Sequence, residues 1–166
     1  MPTKTYTSLA TVTLGGSDAD ITFSSIPATY RDLVLVIGNA KSASGNPAVI
    51  ARFNSDSGTN YPYVRMTGNG SATGTFASTS DAHLNLAAAF GISTSENATI
   101  ILQVLDYSAT DKHKPILVRN NRAGAGVEGI HARWASTSAI NRIDLFNTSA
   151  LNFGTGTIFS LYGIVS

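Results

Sequence analysis

The sequence contains no cysteine. That removes disulfides, thiolate zinc sites and cysteine nucleophiles, and it fits synthesis in a reducing place such as a bacterial cytoplasm. Charge is scarce as well. Eleven basic and 10 acidic residues make up 13% of the chain and leave a formal net charge of +1, about half the usual charged share. No basic patch forms, which argues against strong nucleic-acid binding. Long apolar runs are missing too: Leu33 to Ile37 falls far short of the roughly 20 residues a membrane helix needs, so no membrane partner is expected. The start, Met-Pro-Thr-Lys-Thr-Tyr, has no apolar stretch behind a basic segment, so no secretory signal is expected.

What remains is a chain of 166 residues, long enough for one domain with a core that needs neither disulfide nor metal. Ser, Thr and Asn supply the polar surface in place of charge. Such a surface suits permanent packing against neighbours, or hydrogen bonding to sugars, better than steering charged ligands.

Period-two patterning dominates. Tyr6, Ser8, Ala10, Val12 and Leu14 share one face, with threonines on the other and Leu9 out of phase. Leu33 to Ile37 has no polar face and reads as a strand in mid-sheet. Val49, Ala51 and Phe53 alternate with Ile50 and Arg52. Ile100, Leu102 and Val104 repeat the pattern, as do Ile130, Ala132 and Trp134, which places Trp134 in the core. The last strand runs from Thr157 to Ile164. Residues 54–82 are the least regular, with Asn69-Gly70 a candidate hairpin turn. Ala87-Ala88-Ala89 marks the one place for a helix. The expectation is an all-β, antiparallel two-sheet sandwich of jelly-roll or Greek-key type. It forms a single domain over 1–166, with roughly nine or ten strands and at most one short helix near 84–90. An up-and-down barrel is the alternative.

Catalytic patterns are absent. His83, His113 and His131 share no ligand spacing, so no metal site is expected. No Gly-x-Ser-x-Gly elbow exists. Asp81-x-His83 and Asp111-x-His113 read as local hydrogen bonds. The ten acidic residues are scattered, most of them beside turns; Asp106 and Asp144 are placed on strands and could in principle meet as a glycosidase pair, but nothing singles them out. No catalytic residue and no cofactor are predicted. The oxygen-rich loop from Asn54 to Asn60 reads as a hydrogen-bonded turn rather than a calcium loop. Asn54, Asp56 and Asn60, with Tyr61 and Tyr63 around Pro62, form the candidate contact loop, the tyrosines being offered for exposed contact with a sugar or a subunit.

Three segments together resemble small virion proteins of tailed phages, including cyanophages. They are Asp32-Leu33-Val34-Leu35-Val36-Ile37 after Ile26-Pro27-Ala28-Thr29-Tyr30; Arg52-Phe53-Asn54-Ser55-Asp56-Ser57-Gly58-Thr59-Asn60-Tyr61; and the ending Asn152-Phe153-Gly154-Thr155-Gly156-Thr157 through Tyr162-Gly163-Ile164. The resemblance implies a non-enzymatic capsid decoration or cement protein. It would be a homo-oligomer, a trimer, bound to the major capsid protein or other virion proteins, made in the host cytoplasm and carried in the virion. A tail-associated or receptor-binding module recognising host-surface glycan is the second hypothesis. A glycan hydrolase is the third.

Overall fold

The computed structural model describes residues 4–165. It contains twelve strands: β1 (Tyr6–Thr13), β2 (Asp20–Phe23), β3 (Asp32–Ala40), β4 (Val49–Phe53), β5 (Tyr63–Gly68), β6 (Thr73–Ser78), β7 (Leu84–Ala87), β8 (Ala98–Val104), β9 (Lys114–Arg122), β10 (Gly126–Trp134), β11 (Ile143–Asn147) and β12 (Ile158–Ile164). They form two antiparallel sheets, ordered β1-β12-β3-β8-β9-β10-β5-β6 and β2-β11-β4-β7. Because the sheets stay separate and face each other, the barrel alternative falls.

The pairing is nested. β1 pairs with β12, β2 with β11, β3 with β8 and β4 with β7. Links β12–β3 and β11–β4 complete two four-strand layers. This is the jelly roll, in which a long antiparallel ribbon is rolled so that alternate pairs fall in opposite sheets. The other four strands are two hairpins inserted between β4 and β7 and between β8 and β11. They extend the larger sheet past β8 as a wing, in the order β9-β10-β5-β6.

Alternation sets the core. Leu33, Leu35 and Ile37 of β3 meet Ile100, Leu102 and Val104 of β8 and Phe159 and Leu161 of β12 on one inner face. Ile143, Leu145, Val49, Ala51, Phe53, Leu84 and Leu86 supply the other. Trp134 is buried there, edge-on to Phe53 at 5.7 Å. The anomaly at Leu9 has a cause. The register with β12 shifts between Ser8 and Ala10, so one extra residue is accommodated as a bulge and the strand changes face. Leu9, Ala10 and Val12 all pack on the core while Tyr6 is exposed. Gly163 has a packing reason too: a Cβ there would collide with the ring of Tyr30.

Two expectations change. The segment read as a possible helix is strand β7, whose Leu84 and Leu86 point into the core and whose Asn85 pairs across from Ile50. Period-two burial between the sheets overrides the helical preference of three alanines. The strand count rises to twelve because residues 54–82 hold the β5–β6 hairpin. Its turn spans four residues, with Asn69 N–H donating to Ala72 O at 3.1 Å and Gly70 at φ +88°.

Candidate functional site

The contact loop named from the sequence is a brace, and its tyrosines are not surface groups. The Asp56 carboxylate accepts from Gly58 N–H at 2.9 Å, Asn60 Nδ2 at 2.9 Å and the indole Nε1 of Trp134 at 2.7 Å. Burial alone would raise its pKa. The bonds from Trp134, Asn60 and Gly58 and the nearby Arg52 charge outweigh that and hold it below the ordinary value. Asn54 Oδ1 accepts from the N–H groups of Asn141 and Arg142. Tyr61 is fully buried; its hydroxyl accepts from Phe53 N–H and donates to Asp56 O. Tyr63 is buried at the start of β5. Burial raises the pKa of both phenols, Tyr61 the more strongly. Neither ring is available for exposed contact: Tyr61 is held inward by its bonds to Phe53 N–H and Asp56 O and by packing on Phe53, and Tyr63 points inward from the start of β5. Asn54, Asp56 and Asn60 are occupied in bracing the loop.

The other chemistry named from the sequence stays dispersed. Asp106 lies in the turn after β8, ion-paired with Lys112 at 3.2 Å, whereas Asp144 lies on β11 with Arg142. His83 is half-buried near Asp81 and Arg52; His113 and His131 are exposed on β9's approach and on β10. Among the described residues, no three His, Asp or Glu side chains gather as metal ligands.

Two surfaces stand out instead. The first is the outer face of the small sheet. Asp20, Phe146 and Ile50 lie opposite one another on β2, β11 and β4, and Thr22, Asp144 and Arg52 form the next row. With Ser55 and Arg142 these residues, Ile50 excepted, line a groove of about 340 Å³. Asp144 is saturated: it accepts from Arg142 Nε at 2.8 and 2.9 Å, Thr22 Oγ1 at 2.8 Å and Ser55 Oγ at 3.2 Å. Burial pulls its pKa up, but the bonds from Arg142 and Thr22, the Arg142 charge and the Ser55 bond pull it down further, so it stays ionised. Arg52 is fixed differently. Its Nε donates to Ala82 O at 3.1 Å and its guanidinium lies 5.1 Å from the centre of the Phe146 ring.

The second is the outer corner of the wing. Val64, Met66 and Val127 share the face of β5 and β10 that points away from the core, while Phe76 of β6 stands on the opposite face, against Tyr63 and Arg65. All four are between 50% and 59% exposed. No charged residue occurs from Met66 to Ser80. Edge strand β6, Thr-Gly-Thr-Phe-Ala-Ser, has neither charge, proline nor bulge to discourage pairing. The other edges are blunted: β1 carries its bulge, β2 is four residues long with Asp20 exposed, and β7 is equally short with a register shift.

Sequence reading missed a third feature, a buried polar clasp under the wing. Glu128 accepts from Asn120 Nδ2 at 2.9 Å and from the N–H groups of Ala88 and Ala89, and Arg65 Nε lies 3.5 Å from it. Asn120 Nδ2 also reaches Leu86 O at 2.7 Å. The signal was present in the alternation. Asn120 follows Ile116 and Val118 in phase, and Glu128 precedes Ile130 in phase, so both had to point inward.

No family model matches this chain, and no curated protein matches it. Among solved structures, an alginate lyase, Aly36B, in a mutant form complexed with an alginate tetrasaccharide, aligns over 93% of this chain and 77% of its own at 11% identity and a TM-score of 0.34. A protein of unknown function from Shewanella oneidensis MR-1 aligns over 96% and 75% at 10% identity and a TM-score of 0.24. At such scores neither similarity bears on what this chain does.

Proposed function

We propose that the chain is a non-enzymatic structural protein of a tailed-phage particle, a decoration or cement module that sits on the assembled shell and works as a homo-oligomer, by the resemblance a trimer. The observation that carries this reading is the wing corner. An apolar cluster beside an unprotected, uncharged sheet edge is a liability for a protein that stays single. The same outer face, with Val64, Met66 and Val127, on a subunit meant to be covered is an interface core, where charge is depleted and Met is enriched. The three virion-like segments support the setting. The rigid jelly roll and the near-zero net charge suit permanent seating among neighbours, where several copies engage together and raise avidity without new contacts. Its partners would be its own copies and the major capsid protein, and its location the virion.

The test is sedimentation of the purified protein alone, with free capsid subunits and with expanded shells of its own phage. The expected result is a stable oligomer that binds shells and not free subunits. Changing Met66 and Val127 together to Lys should abolish assembly and leave the circular dichroism spectrum unchanged. A wild-type protein that stays monomeric and ignores expanded shells would end this reading.

A further inference from the structure

The groove on the small sheet lies on the jelly roll's own four-strand layer, away from the wing corner, and its construction differs from that of a merely solvated face. Two of its charged groups, Arg142 and Arg52, are held in place while part of their hydrogen-bonding capacity remains open. Arg142 is locked in a fork on Asp144, with Thr22 and Ser55 closing the network from β2 and from the turn after β4. Arg52 is pinned by Ala82 O and by the Phe146 ring. Among the described residues, its terminal nitrogens have no protein acceptor, and the exposed Asp20 carboxylate has no protein donor. Asp20 and Phe146 are direct cross-strand partners, which places them roughly 5 Å apart at their Cα atoms. A fixed donor fork, an apolar ring and a free acceptor therefore lie side by side.

Stability does not explain the arrangement. Strands β2, β11 and β4 are already joined by backbone ladders, and exposed ion pairs add little to folding. Pre-set donors and acceptors around an apolar surface are what a small-ligand site needs.

The charge pattern selects the ligand class. Two guanidiniums, Arg52 and Arg142, face two carboxylates, Asp20 and Asp144, so the lining is neutral overall. A phosphate or polyanion would meet Asp20 and the ionised Asp144, and an ammonium would meet both arginines. A neutral ring with adjacent hydroxyls meets neither penalty: one hydroxyl donates to Asp20, its neighbour accepts from Arg52, and a C–H face lies against the exposed part of Phe146. We infer that this groove binds an uncharged saccharide through Asp20, Arg52 and Phe146, with the Arg142–Asp144 pair as its fixed wall. The site is independent of the wing corner. It differs from the tyrosine loop, whose rings are buried.

The experiment uses the full-length protein on an array of bacterial surface oligosaccharides, both neutral and uronic-acid or phosphate bearing. The best neutral hit is then titrated while backbone amide shifts are followed by NMR. Saturable binding to a neutral saccharide is expected, with shifts concentrated on residues 20–22, 50–55 and 142–146. Asp20→Ala and Arg52→Ala should each weaken binding by roughly tenfold or more, the loss expected when a hydrogen bond to a charged group is removed. Thr11→Ala, exposed on edge strand β1 of the larger sheet, should leave affinity unchanged. The shift map keeps the test valid should an arginine variant fold poorly. No saturable binding across the array, shifts clustered elsewhere, or preference for anionic glycans alone would overturn the inference.

Discussion

The jelly roll's larger layer and the wing share one sheet and one continuous ladder of hydrogen bonds but are supported in different ways. In the jelly roll, two four-strand layers cover each other. Inner residues such as Ile37, Phe53, Ile143 and Phe159 are fully buried, and alternation alone holds the register. The wing outruns the small sheet, which ends at β7, and no strand packs closely across from β5 or β6. Its inner strands are anchored by Ile116, Val118, Ile130, Trp134 and Tyr63, which join the core, and by a polar clasp in which Glu128 and Asn120 reach down to the backbone at Leu86, Ala88 and Ala89. An apolar core makes the first region self-sufficient. The second is clasped from below and left bare at its tip, which is the state of a surface awaiting a partner.

The sharpest way to break that contrast is Glu128→Ala. It leaves Asn120 with only Leu86 O as acceptor, strands two backbone N–H groups and unpairs the largely covered Arg65. Removing one member of a buried charged network should cost about 3–5 kcal/mol. Urea unfolding should show it as a lower midpoint, and hydrogen exchange should quicken first in β5, β6 and β10. If exchange rose equally in β3 and β12, the wing would not be a separately anchored unit.

The split between covered and clasped regions also explains what the sequence made readable. Jelly-roll strands announce themselves because a two-sided core writes an apolar residue at every second position, as in Leu33-x-Leu35-x-Ile37. Strand β6 has no facing layer, so nothing selects its inner residues, and Thr-Gly-Thr-Phe-Ala-Ser looks like loop. Strand β7 was hidden by composition: four residues with two leucines carry too short a pattern to outweigh three alanines. The loop from Asn54 to Asn60 was correctly read as a hydrogen-bonded turn. That Trp134 would supply its key donor, at a separation of 78 residues, has no local trace. The groove was invisible for the same reason, since its rows are assembled from three strands far apart in the chain.

Glycines give a second, paired comparison. Gly163→Ala in the jelly roll drives a Cβ into the Tyr30 ring, an overpacking that should cost about 1–3 kcal/mol. Gly129→Ala in the wing meets nothing within 4 Å and should be neutral or stabilising by up to about 1 kcal/mol, because alanine loses less backbone freedom on folding. Thermal midpoints of the two variants should move in opposite directions. A large loss from Gly129→Ala would show the outer face of β10 to be more crowded than its open surroundings indicate.

Two carboxylates refine the comparison within the jelly roll. Asp56 braces the core through Trp134, and Asp144 organises the groove. Both titrate below their ordinary value of 3.8 when folded. The folded state thus binds fewer protons than the unfolded chain, so their contribution is complete above about 3.8 and disappears as pH falls through the lower folded values. His83, pushed below 6.5 chiefly by burial and further by Arg52, against the pull of Asp81, adds a shallower decline that begins just under 6.5. Trp134 is the sole tryptophan, so its fluorescence follows the Asp56 bond directly. Asp56→Asn should cost about 1.5 kcal/mol, the low end for a hydrogen bond to a charged group, and should flatten the acid limb of the fluorescence curve. Asp144→Asn should change stability less than Asp56→Asn, since its partner Arg142 is partly exposed to water and screened. It should still loosen the groove, visible as averaged side-chain NMR signals from Arg142 and Thr22. Equal stability losses from the two substitutions would make the Asp144 network part of the scaffold, and the reason for assigning it to a ligand would be gone.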